Sequence, residues 1–129
     1  MIKQDYFLRM IQEIVSLLVN ALLNRQKIRK ESWVPYDDAI RQIIGFSADK
    51  LKEMHADEII SLYENDPDRM GKIELAAMTM LKMSDEMGES HLVLKSRLKH
   101  EGVALLEYVQ AGSNTFSFQR ETLISMLKS

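Results

Sequence analysis

A wide apolar arc on the first predicted helix is the feature that most constrains this fold. Over residues 6 to about 28 the polar side chains keep to one stripe, and at about 100° per residue the apolar side chains fill roughly 200°. A surface helix of a globular protein usually shows an apolar stripe about half as wide. We therefore expect this helix to be covered on two sides, by its own chain or by a second copy.

The composition is that of one globular domain. The chain has 129 residues, of which 46% are apolar, and it contains no cysteine. This length predicts a single domain, residues 1–129, with one core. The lack of cysteine excludes a disulfide framework and thiol catalysis and favours a reducing, cytoplasmic location. The early apolar run is uninterrupted for about 10 residues at most, against about 20 for a membrane span, so we expect a soluble protein.

Charge is distributed unevenly along the chain. The formal net charge is −2, but residues 1–35 carry +3, residues 36–89 carry −7 and residues 90–129 carry +2. Binding to nucleic acid needs clustered basic side chains that displace counterions from phosphates. An acidic middle segment therefore argues against a nucleic-acid partner.

Helix signals recur along the chain, and strand signals are nearly absent. The basic run from Arg25 to Lys30 is typical of a helix C-terminus, and the residues from Trp33 to Tyr36 predict a turn after it. Each later helix has a start or stop signal of its own. The predicted helices are 36–44, closed by Gly45; 48–54, capped by Ser47; 58–63, capped by Asp57; 67–88, capped by Asp66; 90–111, stopped by Gly112; and 118–128, capped by Ser117.

The long C-terminal helices have apolar residues on two sides. In the helix 67–88, Ile73, Ala76 and Met80 share the main face, whereas Leu75 and Met78 lie on the other side. We expect Leu75 and Met78 either to cover a neighbouring helix or to line an exposed groove. Long helices joined by a few residues fold back on each other. The sequence thus predicts an all-α fold of antiparallel helical hairpins, an array or a bundle, with a long N-terminal helix.

Gly102 is unusual because it lies inside the predicted helix 90–111. Glycine in a helix interior costs up to about 1 kcal/mol relative to alanine. A close crossing with another helix would explain it.

Two segments resemble known families. Residues 72–129, a helical hairpin followed by a third helix, resemble tetratricopeptide-type hairpins through the small residues Ala76, Gly88 and Gly102 and the large apolar residues at helical spacing. This resemblance implies stacked helical hairpins. The opening Met-Ile-Lys-Gln-Asp-Tyr-Phe-Leu-Arg-Met-Ile and the later Glu-Leu-Ala-Ala-Met-Thr-Met-Leu are similar to a family of small, all-helical bacterial proteins without assigned function. That similarity implies no activity and no site residue.

Three histidines are the candidates for metal binding or catalysis. His91 and His100 are nine positions apart in one predicted helix, which turns them about 180° from each other, so they cannot share an ion. His55 lies beside acidic residues at positions 53, 57 and 58. This acidic middle segment supports an alternative function, a small metal-binding protein or enzyme. Solvated polar residues at a helix junction explain the cluster more simply, and we predict no enzyme, no metal and no cofactor.

The basic run supports a second alternative, a binder of nucleic acid or of a membrane surface. Its four charges, Arg25, Lys27, Arg29 and Lys30, have no interleaved aromatic residue. A solvated helix end explains such a run more simply. We therefore expect neither nucleic acid nor membrane as a partner.

The function we predict is a non-catalytic interaction or assembly module that binds a peptide or a protein. Nine methionines are many for this length, and flexible thioethers suit either core filling or adaptable grooves. If only one flank of the first helix is covered, the apolar strip on the other favours a homodimer. Lys95 and Lys99 are one helical turn apart, and such a pair favours binding of an acidic peptide. The predicted partner-binding residues are Met10, Leu17, Ala21, Leu75, Met78, Lys95 and Lys99.

Overall fold

The protein is all-α in the computed structural model, as its sequence predicts. The structure describes residues 2–114 and 117–129, with the side chains of residues 2–4 left aside, and this part of the chain contains no strand. Two short 3₁₀ segments, Ala48–Glu53 and Glu89–His91, stand between the longer helices. The α-helices are α1 (Ile2–Leu23), α2 (Lys30–Ile44), α3 (Ala56–Leu62), α4 (Arg69–Glu86), α5 (Leu92–Gly112) and α6 (Phe118–Lys128).

The apolar arc of α1 is covered by three other helices of the same chain, which confirms that it packs on two sides. Ile14 and Leu18, near the middle of the arc, are fully buried, and α4 runs along them. On one flank, the hydroxyl of Tyr36 in α2 donates to Glu13 Oε1 at 2.8 Å. On the other flank, Val15 of α1 faces the start of α6 across a shallow groove. Helices of the same chain therefore contact both flanks, which are half-buried, and Leu8 at the edge of the arc is 39% exposed.

The first helix ends at Leu23, five residues before the predicted end. Arg25 adopts a left-handed conformation with φ of 54°, and the backbone N–H of Gln26 donates to the carbonyl of Ala21 at 2.8 Å. The N–H of Arg25 donates to Leu22 at 3.3 Å. These two bonds form a Schellman motif that closes a helix. The basic run is therefore a linker and the start of α2, and its prediction as a helix C-terminus is wrong.

The same helix corrects the argument from uninterrupted apolar length. By length and composition alone the segment Asp5–Leu23 is able to cross a membrane, and about 28% of it is buried in this structure. The polar side chains interrupt the apolar run, but the mean hydropathy of the whole segment still reaches that of a membrane span. The cytoplasmic location of the chain consequently remains a proposal.

The second helix begins at Lys30, and the turn predicted over Trp33 to Tyr36 is wrong. Pro35 lies inside α2, where it removes one backbone donor and restricts Val34 before it. Packing outweighs this cost, because the C-terminal half of α2 buries Ile40, Ile43 and its other apolar residues in the core. Gly45 ends the helix as predicted, with φ of 96°.

Two predicted caps move by a few residues. His55, and not Asp57, is the N-cap of α3, and its backbone N–H donates to Glu58 Oε1 at 2.9 Å. Asp68, and not Asp66, is the N-cap of α4. The side chain of Asp66 instead accepts from the N–H of Asp68 at 2.8 Å and so fixes the turn before the helix.

The hairpin of α4 and α5 is the centre of the fold. Residues 75–81 of α4 are all buried, because α1 and α2 cover one side of this helix and α5 covers another. Helix α6 then folds back against α5. Leu92 is an exception to the predicted pattern: it is 62% exposed at the start of α5. The hairpin architecture is thus as predicted. The short connection between α4 and α5 leaves Leu92 outside the core.

Gly102 lies where α4 and α5 cross, as the sequence predicts. A Cβ atom at this position would lie 2.9 Å from Cγ and Cδ2 of Leu81 and 3.3 Å from the carbonyl oxygen of Ala77. Glycine therefore permits the close approach of the two helices.

Replacing Gly102 by alanine is expected to destabilise the protein by about 1–2 kcal/mol. Overpacking against Leu81 costs about 1–3 kcal/mol, and the gain in helix propensity of up to about 1 kcal/mol offsets only part of it. Urea unfolding measures the change. Gly88→Ala is the matched control, because a Cβ there meets nothing within 4 Å. Equal stabilities of the two variants would contradict the close crossing.

Candidate functional site

A groove between α2, the 3₁₀ segment Ala48–Glu53 and α4 combines a tryptophan, two methionines and charged side chains of both signs. We call it the Trp33 groove, after the single tryptophan of the chain. Its volume is about 510 Å³. Ile28, Met83 and Met87 line its apolar part together with Trp33. The charged side chains that line it are Lys30, Asp37, Asp49, Lys52, Lys82 and Glu86.

One wall of the Trp33 groove is a stripe along α2. Lys30, Trp33 and Asp37 are spaced three and four residues apart, and this spacing puts side chains on one helix face. All three line the groove. Trp33 is half-buried against the core, and its ring centroid lies 6.0 Å from that of Tyr36. The indole is therefore held in place by packing while part of it stays accessible.

The facing wall is formed by α4 and fixes the other side of the indole. Lys82 Nζ lies 4.3 Å from the centroid of the Trp33 ring, and it also donates to Glu86 Oε2 at 2.8 Å. The side chain of Lys82 is only 12% exposed. A cation over an indole face is attractive, and more so when it is partly desolvated. Lys82 therefore ties α2 to α4 and is neutralised by Glu86.

The charges around the groove divide into paired and unpaired groups. Lys82 pairs with Glu86, and Lys52 pairs with Asp49 at 3.3 Å. Within the described part of the chain, the side chains of Lys30 and Asp37 have no hydrogen-bond or ion-pair partner, and both residues are exposed. These two residues are therefore available to a ligand.

Two other surface grooves lie along α5 and α6. An open depression of about 680 Å³ between these helices is crossed by the ion pair of Lys128 and Glu107 at 2.9 Å. On the other side of that pair, a groove of about 430 Å³ contains Lys99 and His100. Neither contains a tryptophan, tyrosine, phenylalanine or methionine side chain. The Trp33 groove therefore suits an apolar anchor better than these two do.

The predicted strip on α1 lies on the flank that α2 covers. Met10, Leu17 and Ala21 are each half-buried, and Met10 packs against the core. Glu13, which holds Tyr36 of α2, lies one turn from Leu17. The argument for a homodimer required this flank to be uncovered, and α2 covers part of it, so the apolar strip available to a second copy is smaller than the sequence predicts. Self-association remains a prediction, which light scattering would test.

Leu75 and Met78 are corrected from partner-binding residues to core residues. Both are fully buried, because α4 is the central helix and its second face is covered as well as its first. Of the two readings that the sequence allowed, covering a neighbouring helix is right. The methionines that reach the Trp33 groove are Met83, further along α4, and Met87, the C-cap of that helix.

The prediction that Lys95 and Lys99 of α5 together bind an acidic peptide is also corrected. Lys95 Nζ donates to the carbonyl oxygens of Ser84 at 2.7 Å and Met87 at 3.2 Å, and these carbonyls at the end of α4 need donors. Lys95 therefore caps α4 and is engaged. Lys99 is exposed, but Lys95 is not available to bind a peptide together with it.

The histidines do not converge. His55 Nδ1 lies 3.2 Å from Glu101 Oε2 of α5, and the carboxylate also accepts from the N–H of Ala56 at 3.4 Å. This contact joins α3 to α5, and Glu58 of the acidic cluster completes the capping box at His55. Among the described residues no group of three or more His, Cys, Asp or Glu side chains is arranged to hold a metal ion.

Two shifted pKa values lie near the turn before α4. Burial and the nearby Asp66 raise the pKa of Tyr63, whose hydroxyl donates to the carbonyl of Ile44 at 2.6 Å. Burial alone would raise the pKa of Asp66, but bonds from Lys72 Nζ at 2.6 Å and from the N–H of Asp68 lower it. Both shifts favour the form that each group already has at neutral pH. Neither group becomes an acid or base that titrates near neutrality.

Comparison with protein-family models, with curated proteins and with solved structures finds no match. The function must therefore be argued from the surface of the molecule.

The stripe of Lys30, Trp33 and Asp37 is the part of the site that sequence reasoning missed. The spacing of these three residues is visible in the sequence, but the run from Trp33 to Tyr36, which contains Pro35, predicts a turn. A helix beginning at Lys30 would have placed Trp33 on the face of Ile40, since seven residues make nearly two turns. An aromatic residue in register with the buried face was the available signal.

Proposed function

We propose that this chain is a non-catalytic protein-interaction module that binds a peptide segment of a partner protein in the Trp33 groove. The observation that carries the proposal is the composition of that groove: one indole and two methionines, all partly buried, beside two exposed and unpaired charges. Tryptophan and methionine are enriched at protein interfaces, and tryptophan is prominent among the residues that dominate binding energy.

The arrangement fits a peptide better than a compact molecule. Three separate elements contribute to the walls, and the groove is an open surface feature, not an enclosed cavity. An apolar centre with a charged rim is the usual plan of an interface core and rim. The thioethers of Met83 and Met87 adapt their shape to different apolar side chains.

The direction of the pKa shifts of Tyr63 and Asp66 supports the non-catalytic character of the proposal. The two shifts described above strengthen ordinary charge states, and active sites usually do the reverse. The location that we propose remains the cytoplasm, on the composition argument alone.

Selection of peptides from a displayed random 12-residue library on the immobilised protein tests this function. We expect enriched peptides to bind the wild type and to lose at least tenfold in affinity on Met83→Glu, because a carboxylate would be buried among apolar contacts. Trp33 is the only tryptophan, so its fluorescence reports binding at the groove directly. Calorimetry gives the affinities.

Met126→Glu is the matched control. Met126 of α6 is half-buried and packs against the core as Met83 does, but it lies outside the groove. Thermal melts of both variants establish that they fold. Enriched peptides that leave the Trp33 fluorescence unchanged, or that bind both variants equally, would refute the proposed site. Failure to enrich any peptide would refute the function.

A further inference from the structure

The unpaired charges of the Trp33 groove carry information about its ligand. Four of its six charged side chains are satisfied within the chain, as the pairs of Lys82 with Glu86 and of Lys52 with Asp49. Lys30 and Asp37 have no side-chain partner in the described part of the chain. They have opposite charges and stand on either side of Trp33 in the same stripe.

The position of Lys30 is not explained by the stability of α2. Lys30 is the first residue of this helix, where the positive end of the helix dipole disfavours a cation. Asp37 lies in the middle of the helix, beyond the first turn in which an acid would help. Neither charge therefore stabilises α2 through the helix dipole, whereas both line the groove.

The distance between the two charges sets the spacing that a ligand must match. Seven residues of α-helix rise about 10 Å. In a polyproline II segment three residues make one turn and span about 9 Å, so side chains three positions apart share a face. A polyproline II segment that puts an acidic side chain opposite Lys30 therefore brings a residue three positions away opposite Asp37. The two residues between them lie at the level of Trp33.

We propose that the ligand of the Trp33 groove is a segment of a partner protein in polyproline II conformation, with one acidic and one basic residue three positions apart and apolar residues between them. This inference rests on the proposed function, because it specifies the peptide that the same groove takes. The acidic residue pairs with Lys30 and the basic residue with Asp37. The apolar residues between them pack on Trp33, Met83 and Met87.

Four octapeptides test the inference. All four share a central Leu-Leu pair and differ only in the two residues that flank it. One peptide has Glu and Lys there, the second has Glu on both sides, the third has Lys on both sides, and the fourth has Gln on both sides. Titration followed by Trp33 fluorescence should give the Glu and Lys peptide about a tenfold advantage over each like-charged peptide, because one attraction becomes a repulsion. This advantage should shrink in 1 M NaCl, since rim charges are screened.

Charge reversal of each residue in turn makes the test specific. Asp37→Lys should prefer the two-Glu peptide, and Lys30→Glu should prefer the two-Lys peptide. Glu31→Lys is the control, since Glu31 is an exposed acid near the start of α2 that does not line the groove; it should keep the wild-type order. Equal affinity for all four peptides, abolished by Met83→Glu, would overturn the charge rule and leave the proposed function standing. No binding of any octapeptide at 1 mM, together with no enriched library peptide, would overturn both.

Discussion

Replacing Leu18 by alanine is expected to lower the free energy of unfolding by about 2–5 kcal/mol. Leu18 lies near the centre of the apolar arc of α1 and is only 1% exposed. Its side chain packs where α1 meets α4, and the helices on both flanks limit how far the site can collapse after truncation. Urea unfolding monitored by circular dichroism measures the loss.

Leu17→Ala is the matched control for this prediction. Leu17 is the preceding residue with the same side chain, but it is half-buried on the flank of the arc. We expect its truncation to cost clearly less than that of Leu18, because fewer contacts are lost and less cavity is left. A loss below about 1 kcal/mol for Leu18→Ala would contradict the packing of α1 described above.

Removing the guanidinium of Arg120 is expected to cost about 3 kcal/mol, a value in the range for breaking a buried ion pair. Arg120 Nε donates to Glu74 Oε2 at 2.7 Å, and its Nη1 donates to Gln110 Oε1 at 2.6 Å. The two charged side chains are only 10% and 16% exposed. Arg120→Ala would leave the carboxylate of Glu74 without its partner and loosen α6 from α4. Thermal and urea unfolding measure the effect.

The pair of Lys128 and Glu107 provides the comparison. It also involves α6 and has a similar length of 2.9 Å, but both side chains are about half exposed. Exposed pairs contribute little, so Lys128→Ala should leave the stability nearly unchanged. The double variant Glu74→Leu with Arg120→Met should recover most of the loss, because apolar groups of similar size replace a buried pair without penalty. Equal effects of Arg120→Ala and Lys128→Ala would contradict this account.

Local signals predicted those parts of the fold that depend on a few neighbouring residues. Gly45 ends α2, and the hydroxyl of Ser117 accepts from the N–H of Arg120 at 3.1 Å at the start of α6. Gly102 marked the close crossing of α4 and α5. In each case the residue type has one strong structural preference, so the sequence alone was informative.

Features that depend on tertiary contacts were not predicted. Pro35 indicated a break, but burial of the far end of α2 keeps the helix continuous around it. Arg25 closes α1 in a left-handed conformation that glycine usually adopts. The residue type at this position therefore does not predict the end of the helix. Leu75 and Met78 were assigned to a surface because periodicity shows two apolar faces without showing what covers each. The Trp33 groove depends on the first of these features, because the continuous helix α2 carries Lys30, Trp33 and Asp37.

The most direct test of the account is a ¹⁵N-labelled NMR titration of the wild-type protein with the best peptide from the selection. We predict that the largest shifts fall on the Trp33 indole N–H and on the amides of Lys30, Asp37, Met83 and Met87. These residues come from α2 and α4 and meet only in the folded groove. Shifts confined to the α5 and α6 surface around Lys99 and Lys128, with the Trp33 indole unmoved, would contradict the claim that this groove is the binding site.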